Sequence, residues 1–227
     1  MRSRIMRHII GLAGCKRVGK DTCADFLVAH HGFLKYSLAD PIKEVCKHMF
    51  LFDDEQLWGA EKDVVDPRYG KSPREVMQRL GTDFVRDWIG DDFWINRMRT
   101  WADSHNRNIV VADVRFQNEV DAIHAMGGHV LLLSRPSLGP SIDCHKSEAC
   151  QLNLVDVRLE NKYTVPDLQA QLVMVLQELW GGPLPGPLRT DVGSSELFDP
   201  AVLTRYFKAP DEPVAEVVPD IIGWRTL

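Results

Sequence analysis

The segment Gly14–Thr22, GCKRVGKDT, brings two glycines and three cations together within nine residues. Its Gly-x-x-x-x-Gly-Lys spacing lets the backbone curl so that successive N–H groups point at one anion, and the lysine adds a fixed positive charge. A plain glycine turn would not need three cations. The segment therefore predicts a loop that binds the phosphates of a nucleotide. The expected contacts are Gly14, Lys16, Arg17, Gly19, Lys20, Asp21 and Thr22.

Asp21 occupies the position at which such loops usually carry Ser or Thr, and Thr22 follows it. A carboxylate beside phosphate oxygens is repelled by them unless a cation lies between the two. Asp21 is therefore a candidate ligand of Mg²⁺, directly or through water, while Thr22 supplies a hydroxyl. The alternative is that Asp21 only complements the positive N-terminus of the following helix.

A second acid, Asp113, ends the apolar run 109–112. At the carboxyl end of a central strand it would face the Mg²⁺ of a bound nucleotide. The alternative is that it caps the next helix. Arg115 comes two residues later, and Arg135 follows another apolar run. Together with Lys20, these arginines are candidates for neutralising charge on a transferred phosphoryl group.

Short apolar runs alternate with amphipathic segments, which predicts an α/β fold with a mostly parallel sheet and helices on both faces. The loops from strand to helix then lie at the carboxyl edge of the sheet, where such folds bind ligands. Residues 51–71 are predicted to form an irregular excursion between helices. The predicted strands cover residues 8–13, 33–38, 108–114, 129–134 and 155–160. The predicted helices cover 20–30, 40–50, 91–103, 117–126 and 165–180, and another starts at 72 and runs past 80.

The chain divides by composition near residue 180. Residues 1–180 carry the alternating pattern and form the predicted catalytic domain. The stretch GGPLPGPL has the composition of a linker, and the predicted C-terminal extension, 181–227, has weak periodicity and an open role. It is a candidate for oligomerisation, for covering the site or for contacting another enzyme.

The composition argues against several classes of protein. A net charge of −5 disfavours stable nucleic-acid binding, which needs clustered Lys and Arg, although a small anionic ligand needs only a local basic pocket. Leu12–Cys15 looks like the end of a lipoprotein signal, but Arg7 and His8 interrupt the apolar run before it. No apolar run is long enough to cross a membrane. Five cysteines without Cys-x-x-Cys spacing indicate free thiols in a reducing cytoplasm.

A small-molecule kinase fits these features better than a GTPase does. The tetrapeptide at 161–164, Asn-Lys-Tyr-Thr, lacks the final acid of the guanine-selecting Asn-Lys-x-Asp pattern. Three features favour an enzyme that aligns two anionic substrates. They are the small size of the chain, the polar Arg-containing segment at 135–150 and the excursion at 51–71. Such an enzyme screens their charge and needs no covalent intermediate.

Seven stretches, in order over about residues 8–180, resemble the bacteriophage deoxynucleoside monophosphate kinase family. They are GCKRVGKDTCADF, KYSLADPIKE, VMQRLGTDF, FWINRM, DVRFQNEVDAIHAMGG, SRP and HKSEA. The family's loop carries Gly-Lys-Asp-Thr, so Asp21 is similar to its pattern. The resemblance implies a P-loop fold like that of the nucleoside monophosphate kinases, with ATP and Mg²⁺ as cofactors. It also implies phosphoryl transfer from ATP to a small-molecule acceptor, a deoxynucleoside 5′-monophosphate.

The resemblance further implies an acceptor-binding region at about 37–95 and a lid at about 135–150 that holds Arg135 and His145. The positions that match the family's motifs around the acceptor are Tyr36, Ser37, Gln78, Gly81, Thr82, Asp83, Arg115, Gln117, Glu119 and His145. Several have ordinary alternatives: Tyr36 as a plain strand residue, Gln78 as a solvated side chain. Arg74 is expected on a solvated face, and Arg68 is a weaker candidate for a phosphate contact.

Two other functions stay open at this stage. One is a P-loop kinase for a modified pyrimidine nucleotide or for an acceptor within DNA, although the acidic charge balance argues against DNA. The other is an ATP-binding scaffold or regulatory protein that uses its Pro-rich tail to recruit partners. A homodimer is a candidate assembly. Spacing along the chain does not reveal which bases are accepted, because that depends on hydrogen-bond geometry in a pocket.

Overall fold

The computed structural model describes residues 7–138, 152 and 155–186. Five strands form one sheet in the order β2-β3-β1-β4-β5, and every neighbouring pair is parallel. The strands are β1 (Ile9–Ala13), β2 (Leu34–Tyr36), β3 (Ile109–Val114), β4 (His129–Ser134) and β5 (Val157–Glu160). The predicted strands are therefore all present in the described residues, with β2 shorter than expected.

Seven α-helices, a π-helix and two 3₁₀ turns connect the strands within the described residues. The α-helices are α1 (Lys20–His31), α2 (Asp40–Phe50), α3 (Asp54–Leu57), α4 (Pro73–Gln78), α5 (Phe93–Asp103), α6 (Gln117–Ala125) and α7 (Val165–Trp180). The π-helix spans Arg79–Ile89, and the 3₁₀ turns span Ala60–Asp63 and Pro136–Leu138. In the part of the chain described, no helix is both long and apolar enough to span a membrane.

The sheet is buried on both faces, as β3 illustrates. Ile109 and Val111 join a core cluster with α5 and α6, whereas Val110 and Ala112 join a second cluster with α1 and α7. Successive side chains of a strand point to opposite faces, so a strand covered on both sides must be apolar at every position. This explains why the sequence shows continuous apolar runs rather than alternation.

The order of the strands opens a crevice at the carboxyl edge of the sheet. The chain leaves β1 toward β2 on one side and leaves the adjacent β4 toward β5 on the other. Neighbouring strands whose connections diverge in this way form the ligand crevice of open α/β sheets. The loop 14–19 follows β1, and Arg135 follows β4, so both lie at this crevice.

The structure corrects one expectation in the acceptor-binding region. The excursion 51–71 contains α3 and a 3₁₀ turn, and a small core of Cys46, Phe52 and Leu57 holds it against α2. The helix predicted to start at Ser72 and run past Leu80 is present, and its second part is a π-helix that reaches Ile89. Capping residues predicted the start of α4, but nothing local marked the change of helical pitch.

Candidate active site

The loop after β1 has the backbone that a phosphate-binding loop requires. Gly14 and Gly19 have φ values of 133° and 112°, and Arg17 has a φ of 65°. These values are rarely adopted by residues with a side chain. A Cβ at Gly14 would lie 2.3 Å from the carbonyl oxygen of Leu133, at the end of β4. Glycine is therefore needed at position 14 both for its conformation and for this close approach.

Lys20 is the first residue of α1, and its ammonium reaches back across the loop. Its Nζ donates to the carbonyl oxygens of Gly14 at 2.5 Å and Cys15 at 2.8 Å. These contacts hold the charge over the curled backbone, beside the N-terminus of α1. A phosphate in this loop would meet the lysine, the backbone N–H groups and the positive end of the helix together.

Asp21 lies in the first turn of α1, with its carboxylate largely exposed. Lys35 bridges it to Asp25, with Nζ at 3.0 Å from Asp21 Oδ1 and 2.8 Å from Asp25 Oδ1. An acid in the first turn is stabilised by the helix dipole whether or not a metal is present. Both sequence-based interpretations of Asp21 are compatible with this position, so its role as a Mg²⁺ ligand stays a prediction.

A cavity lies directly beside the phosphate-binding loop and contains most of the predicted nucleotide contacts. Its wall includes Arg17, Gly19, Lys20, Asp21, Thr22 and Arg135. Asn161, Tyr163 and Leu168 complete it from β5 and α7. We call it the donor cavity. Predicted contact Lys16 is exposed on the loop but does not line the cavity.

Sequence reasoning missed Asn161 as a site residue. Its amide Nδ2 donates to the carbonyl oxygen of Val18 at 3.0 Å, which ties the end of β5 to the phosphate-binding loop. The signal was present, since Asn161 follows a predicted strand and the carboxyl ends of parallel strands meet at one edge. The sequence pattern alone compares Asn161 only with the first residue of a guanine-selecting motif.

A second cavity, the acceptor cavity, is lined by residues of α2, α4, the π-helix and the end of β3. Five predicted acceptor contacts lie in its wall: Gln78, Gly81, Thr82, Arg115 and Glu119. Asp113 and Arg74 line it as well, so Arg74 is not on the solvated face expected for it. Residues that the sequence separates by more than thirty positions thus share one pocket.

Asp113 binds the loop that leads into α2. Its Oδ1 accepts from the N–H of Leu38 at 2.8 Å, and its Oδ2 accepts from the Ser37 hydroxyl at 2.7 Å and the N–H of Ala39 at 3.0 Å. The carboxylate therefore supports the start of α2 rather than the next helix, α6. This also accounts for Ser37, whose hydroxyl points to Asp113. A role for Asp113 in holding Mg²⁺ stays a prediction.

Three other predicted acceptor contacts lie outside the wall of the acceptor cavity. Tyr36 is buried against Trp101, with ring centroids 4.8 Å apart, and burial raises the pKa of its phenol above the ordinary value. Asp83 is exposed on the π-helix, with Oδ2 3.6 Å from Arg79 Nη1. Gln117 donates to Asp121 Oδ1 at 3.0 Å. His145 and residues 139–150 of the predicted lid lie outside the described residues.

Gln78 and Gly81 lie in the wall of the acceptor cavity. The indole N–H of Trp94 donates to the carbonyl oxygen of Gly81 at 2.9 Å, and a Cβ at Gly81 would meet the Ile42 Cδ1 at 2.5 Å. The Gln78 amide nitrogen is buried and has no hydrogen-bonding partner among the described residues. A buried donor without an acceptor costs about 1–3 kcal/mol, which suits a position that binds a ligand.

An ion pair that the sequence did not reveal lies at one side of the acceptor cavity. The Arg86 guanidinium bonds to Glu119 Oε1, stacks on the Phe116 ring at 4.1 Å and reaches Asp91 at 3.1 Å. Glu119 Oε2 accepts from the N–H groups of Arg115 at 2.7 Å and Phe116. Both carboxylate oxygens are therefore occupied, and Glu119 orients the chain that carries Arg115.

The donor cavity offers oxygen atoms of the kind that bind Mg²⁺ together with a nucleotide. No group of three or more His, Cys, Asp or Glu side chains in the described ranges is arranged to hold a metal by itself. Mg²⁺ typically takes one or two carboxylates, and its other ligands are water and substrate phosphates. Asp21 and Thr22 at the donor cavity offer oxygen atoms of this kind.

The parallel sheet, the glycine-lysine loop after its central strand and the paired cavities define a P-loop phosphotransferase. The family model described as deoxynucleotide monophosphate kinase matches residues 8–59 and 59–172, and the chain belongs to that family. Its enzymatic class is therefore that of the kinases, which use a nucleotide as phosphoryl donor.

Two relatives show the extent of the similarity. A protein of Acanthamoeba polyphaga mimivirus named "Putative deoxynucleotide monophosphate kinase" is 36% identical, and the match covers 73% of this chain and 94% of the relative. The deoxynucleotide monophosphate kinase of Enterobacteria phage T4 is 27% identical, and the match covers 62% of this chain and 86% of the relative.

Solved structures of other kinases match over a similar length. The shikimate kinase of Aquifex aeolicus has a TM-score of 0.48 at 11% identity, covering 77% of this chain and 99% of that one. The dephospho-CoA kinase of Campylobacter jejuni has a TM-score of 0.40 at 16% identity, covering 77% of this chain and 98% of that one.

Proposed function

We propose that this enzyme transfers the γ-phosphoryl group of ATP to the 5′-phosphate of a deoxynucleoside monophosphate, giving ADP and a deoxynucleoside diphosphate. The observation that carries the proposal is the pairing of the donor cavity with a separate acceptor cavity, both built around one edge of the sheet. The names of the two relatives support the same reaction. The product is a precursor for the synthesis of phage DNA in the host cytoplasm.

On the donor side, the phosphate-binding loop and Lys20 would hold the ATP phosphates. Arg135 lines the same cavity from the end of β4, and Asn161 fixes the loop's shape through Val18. Tyr163 and Leu168 offer an aromatic and an aliphatic surface against which the nucleotide base would pack. The expected contacts Gly19, Lys20 and Thr22 line this cavity, which supports the proposal.

On the acceptor side, Arg115 and Arg74 bring positive charge to the cavity wall, and we assign them to the acceptor phosphate. Guanidinium groups suit this task because they bind phosphate oxygens in pairs. Gln78 lies deeper, with its buried amide donor, and we assign it to the sugar or base of the acceptor. Thr82 is buried beside it and adds a hydroxyl.

The chemistry requires alignment and charge neutralisation. An oxygen of the acceptor 5′-phosphate attacks the γ-phosphorus, and the bond from that phosphorus to the β–γ bridging oxygen breaks. Its electron pair stays on ADP. Lys20, Arg115 and Arg135 would stabilise the charge that spreads over the oxygens in transit. Asp21 and Thr22 would hold Mg²⁺, which would supply positive charge to neutralise part of the charge of the donor phosphates.

A coupled assay of ADP release tests the proposal. The purified chain is mixed with ATP and Mg²⁺, and each of the four deoxynucleoside monophosphates is supplied in turn. Release of ADP with at least one of them, together with formation of the diphosphate, is the expected result. ADP release only with an oligonucleotide acceptor would indicate a DNA kinase. If none of the acceptors supports ADP release, the proposed reaction is contradicted.

A further inference from the structure

Lys35 reaches from the edge strand of the sheet to the beginning of α1. It lies on β2, in register with Val110 of β3, so its side chain lies on the same face of the sheet as Val110, the face that α1 covers. Its Nζ is 3.0 Å from Asp21 Oδ1 and 2.8 Å from Asp25 Oδ1. Only 30% of the side chain is exposed, so the packing of α1 against β2 restricts where the ammonium can lie.

Part of the role of Lys35 is structural. Asp21 and Asp25 lie four residues apart on one face of α1, where two like charges repel each other. The ammonium between them relieves that repulsion and joins α1 to the sheet. Asp25 lies outside the walls of both cavities, whereas Asp21 lies in the wall of the donor cavity. What holds Asp21 therefore also shapes the site.

The contact with Lys35 leaves one oxygen of Asp21 available to a ligand. Lys35 engages Oδ1, and among the described residues no hydrogen bond engages Oδ2. Asp25 anchors the same ammonium, so a ligand at Oδ2 does not need to displace it. Two carboxylates and one ammonium leave this cluster with one net negative charge, which favours a metal cation over a bare phosphate oxygen.

We infer that Lys35 is a positioning residue, which holds Oδ1 of Asp21 and thereby fixes the carboxylate whose other oxygen binds the Mg²⁺ of ATP. This inference rests on the proposed function. Mg²⁺ demands near-ideal octahedral geometry, so an exposed carboxylate that rotates freely binds it less well than one that is held. Groups that hydrogen-bond a ligating carboxylate typically contribute about 10–100-fold to metal affinity.

The test compares ATP binding in four proteins: the wild type, Lys35→Met, Asp21→Asn and the double variant. For each protein, calorimetry gives the Kd for ATP in EDTA and in saturating Mg²⁺, and the ratio of the two is its Mg²⁺ gain. We expect Lys35→Met to lower the gain about tenfold when Asp21 is present. In the Asp21→Asn background the same replacement should not lower it, because no carboxylate remains to be held.

Two further variants complete the experiment. Lys71→Met is the matched control, since Lys71 is an exposed lysine paired with Glu75, and it should leave the gain unchanged. Lys35→Gln repeats the cycle, so that the result does not depend on the folding of one variant. In an active enzyme, Lys35→Met should also need about tenfold more Mg²⁺ for half-maximal kcat.

Several results would overturn the inference. An equal fall of the gain in both backgrounds would mean that Lys35 acts without Asp21, and a rise would mean that it competes with the metal for Asp21. An unchanged gain, or a wild type whose ATP affinity does not increase with Mg²⁺, would equally exclude the role. A wild type that binds ATP with a Mg²⁺ gain but phosphorylates no deoxynucleoside monophosphate would contradict the proposed function instead, and the binding cycle would still decide the role of Lys35.

Discussion

Arg86 and Glu119 form an ion pair at the side of the acceptor cavity, with only 5% and 2% of their surfaces exposed. Arg86 belongs to the π-helix and Glu119 to α6, so the pair joins the acceptor-binding region to the sheet-bound helix beside Arg115. Glu119 also accepts from two backbone N–H groups, which leaves its carboxylate fully engaged. Both residues lie in the wall of the acceptor cavity, and the role of Glu119 as an acceptor contact stays a prediction.

Replacing Arg86 by methionine should destabilise the protein by about 3–5 kcal/mol, because the substitution leaves the Glu119 charge buried without its partner. Urea unfolding measures this change. Arg79→Met is the matched control, since Arg79 is exposed and lies 3.6–3.8 Å from its acidic neighbours. If the free energies of unfolding of Arg86→Met and the control differ by less than about 1 kcal/mol, the ion pair does not stabilise the fold.

Stability should depend on pH through Glu119. Burial raises the pKa of its carboxyl to about 7, while Arg86 and the two N–H groups act in the lowering direction and Asp113 in the raising one. The folded protein then binds this proton more tightly than the unfolded chain does. This tighter proton binding stabilises the folded protein. The stabilisation is fully present below the ordinary pKa of glutamate and is lost as pH rises through about 7.

The free energy of unfolding should therefore decrease more between about pH 5 and pH 7.5 in the wild type than in Glu119→Gln, which cannot titrate there. Urea titrations at several pH values provide the comparison. Parallel pH dependences in the two proteins would contradict the assignment of this titration to Glu119.

Lys20→Ala should lower kcat by several powers of ten, because the γ-phosphate loses its fixed positive partner at the donor cavity. The coupled assay measures the loss, and Lys71→Ala serves as the control on an exposed lysine. Turnover within tenfold of the wild type would refute the proposed role of Lys20.

Gly14→Ala should abolish ATP binding and destabilise the protein. Its Cβ would lie 2.3 Å from a backbone oxygen that no side-chain movement can displace, and its φ is 133°. Gly182→Ala, where a Cβ meets nothing within 4 Å, should leave both properties unchanged. Calorimetry with ATP and thermal unfolding distinguish the pair, and equal behaviour of the two variants would mean that the loop is not built as described.

Gln78→Leu should change stability and acceptor binding in opposite directions. Removing a buried amide without a partner should leave the free protein as stable or more stable, by about 1–2 kcal/mol. The KM for the acceptor should rise at least tenfold, because the ligand loses its donor. Gln177→Leu, at an exposed position of α7, is the control. If the variant is stable and its KM for the acceptor is unchanged, Gln78 does not bind the acceptor.

The sequence alone determined the local features of this protein. Apolar runs predicted the five strands because a two-sided sheet demands them, and Thr164 predicted the start of α7, where its hydroxyl accepts from the N–H of Asp167. The loop 14–22 was recognisable because its glycines, lysine and following helix are consecutive in the chain. Seven ordered stretches also carry the resemblance to the deoxynucleoside monophosphate kinase family.

Only the tertiary structure decided which distant residues meet. Asp113 supports residues 37–39, Arg86 pairs with Glu119, and Asn161 bonds to the carbonyl oxygen of Val18, none of which follows from spacing along the chain. The π-helix and the position of Gln78 were equally hidden. The physical reason is that local propensities depend on near neighbours, whereas the partners and burial of a side chain depend on how whole elements pack.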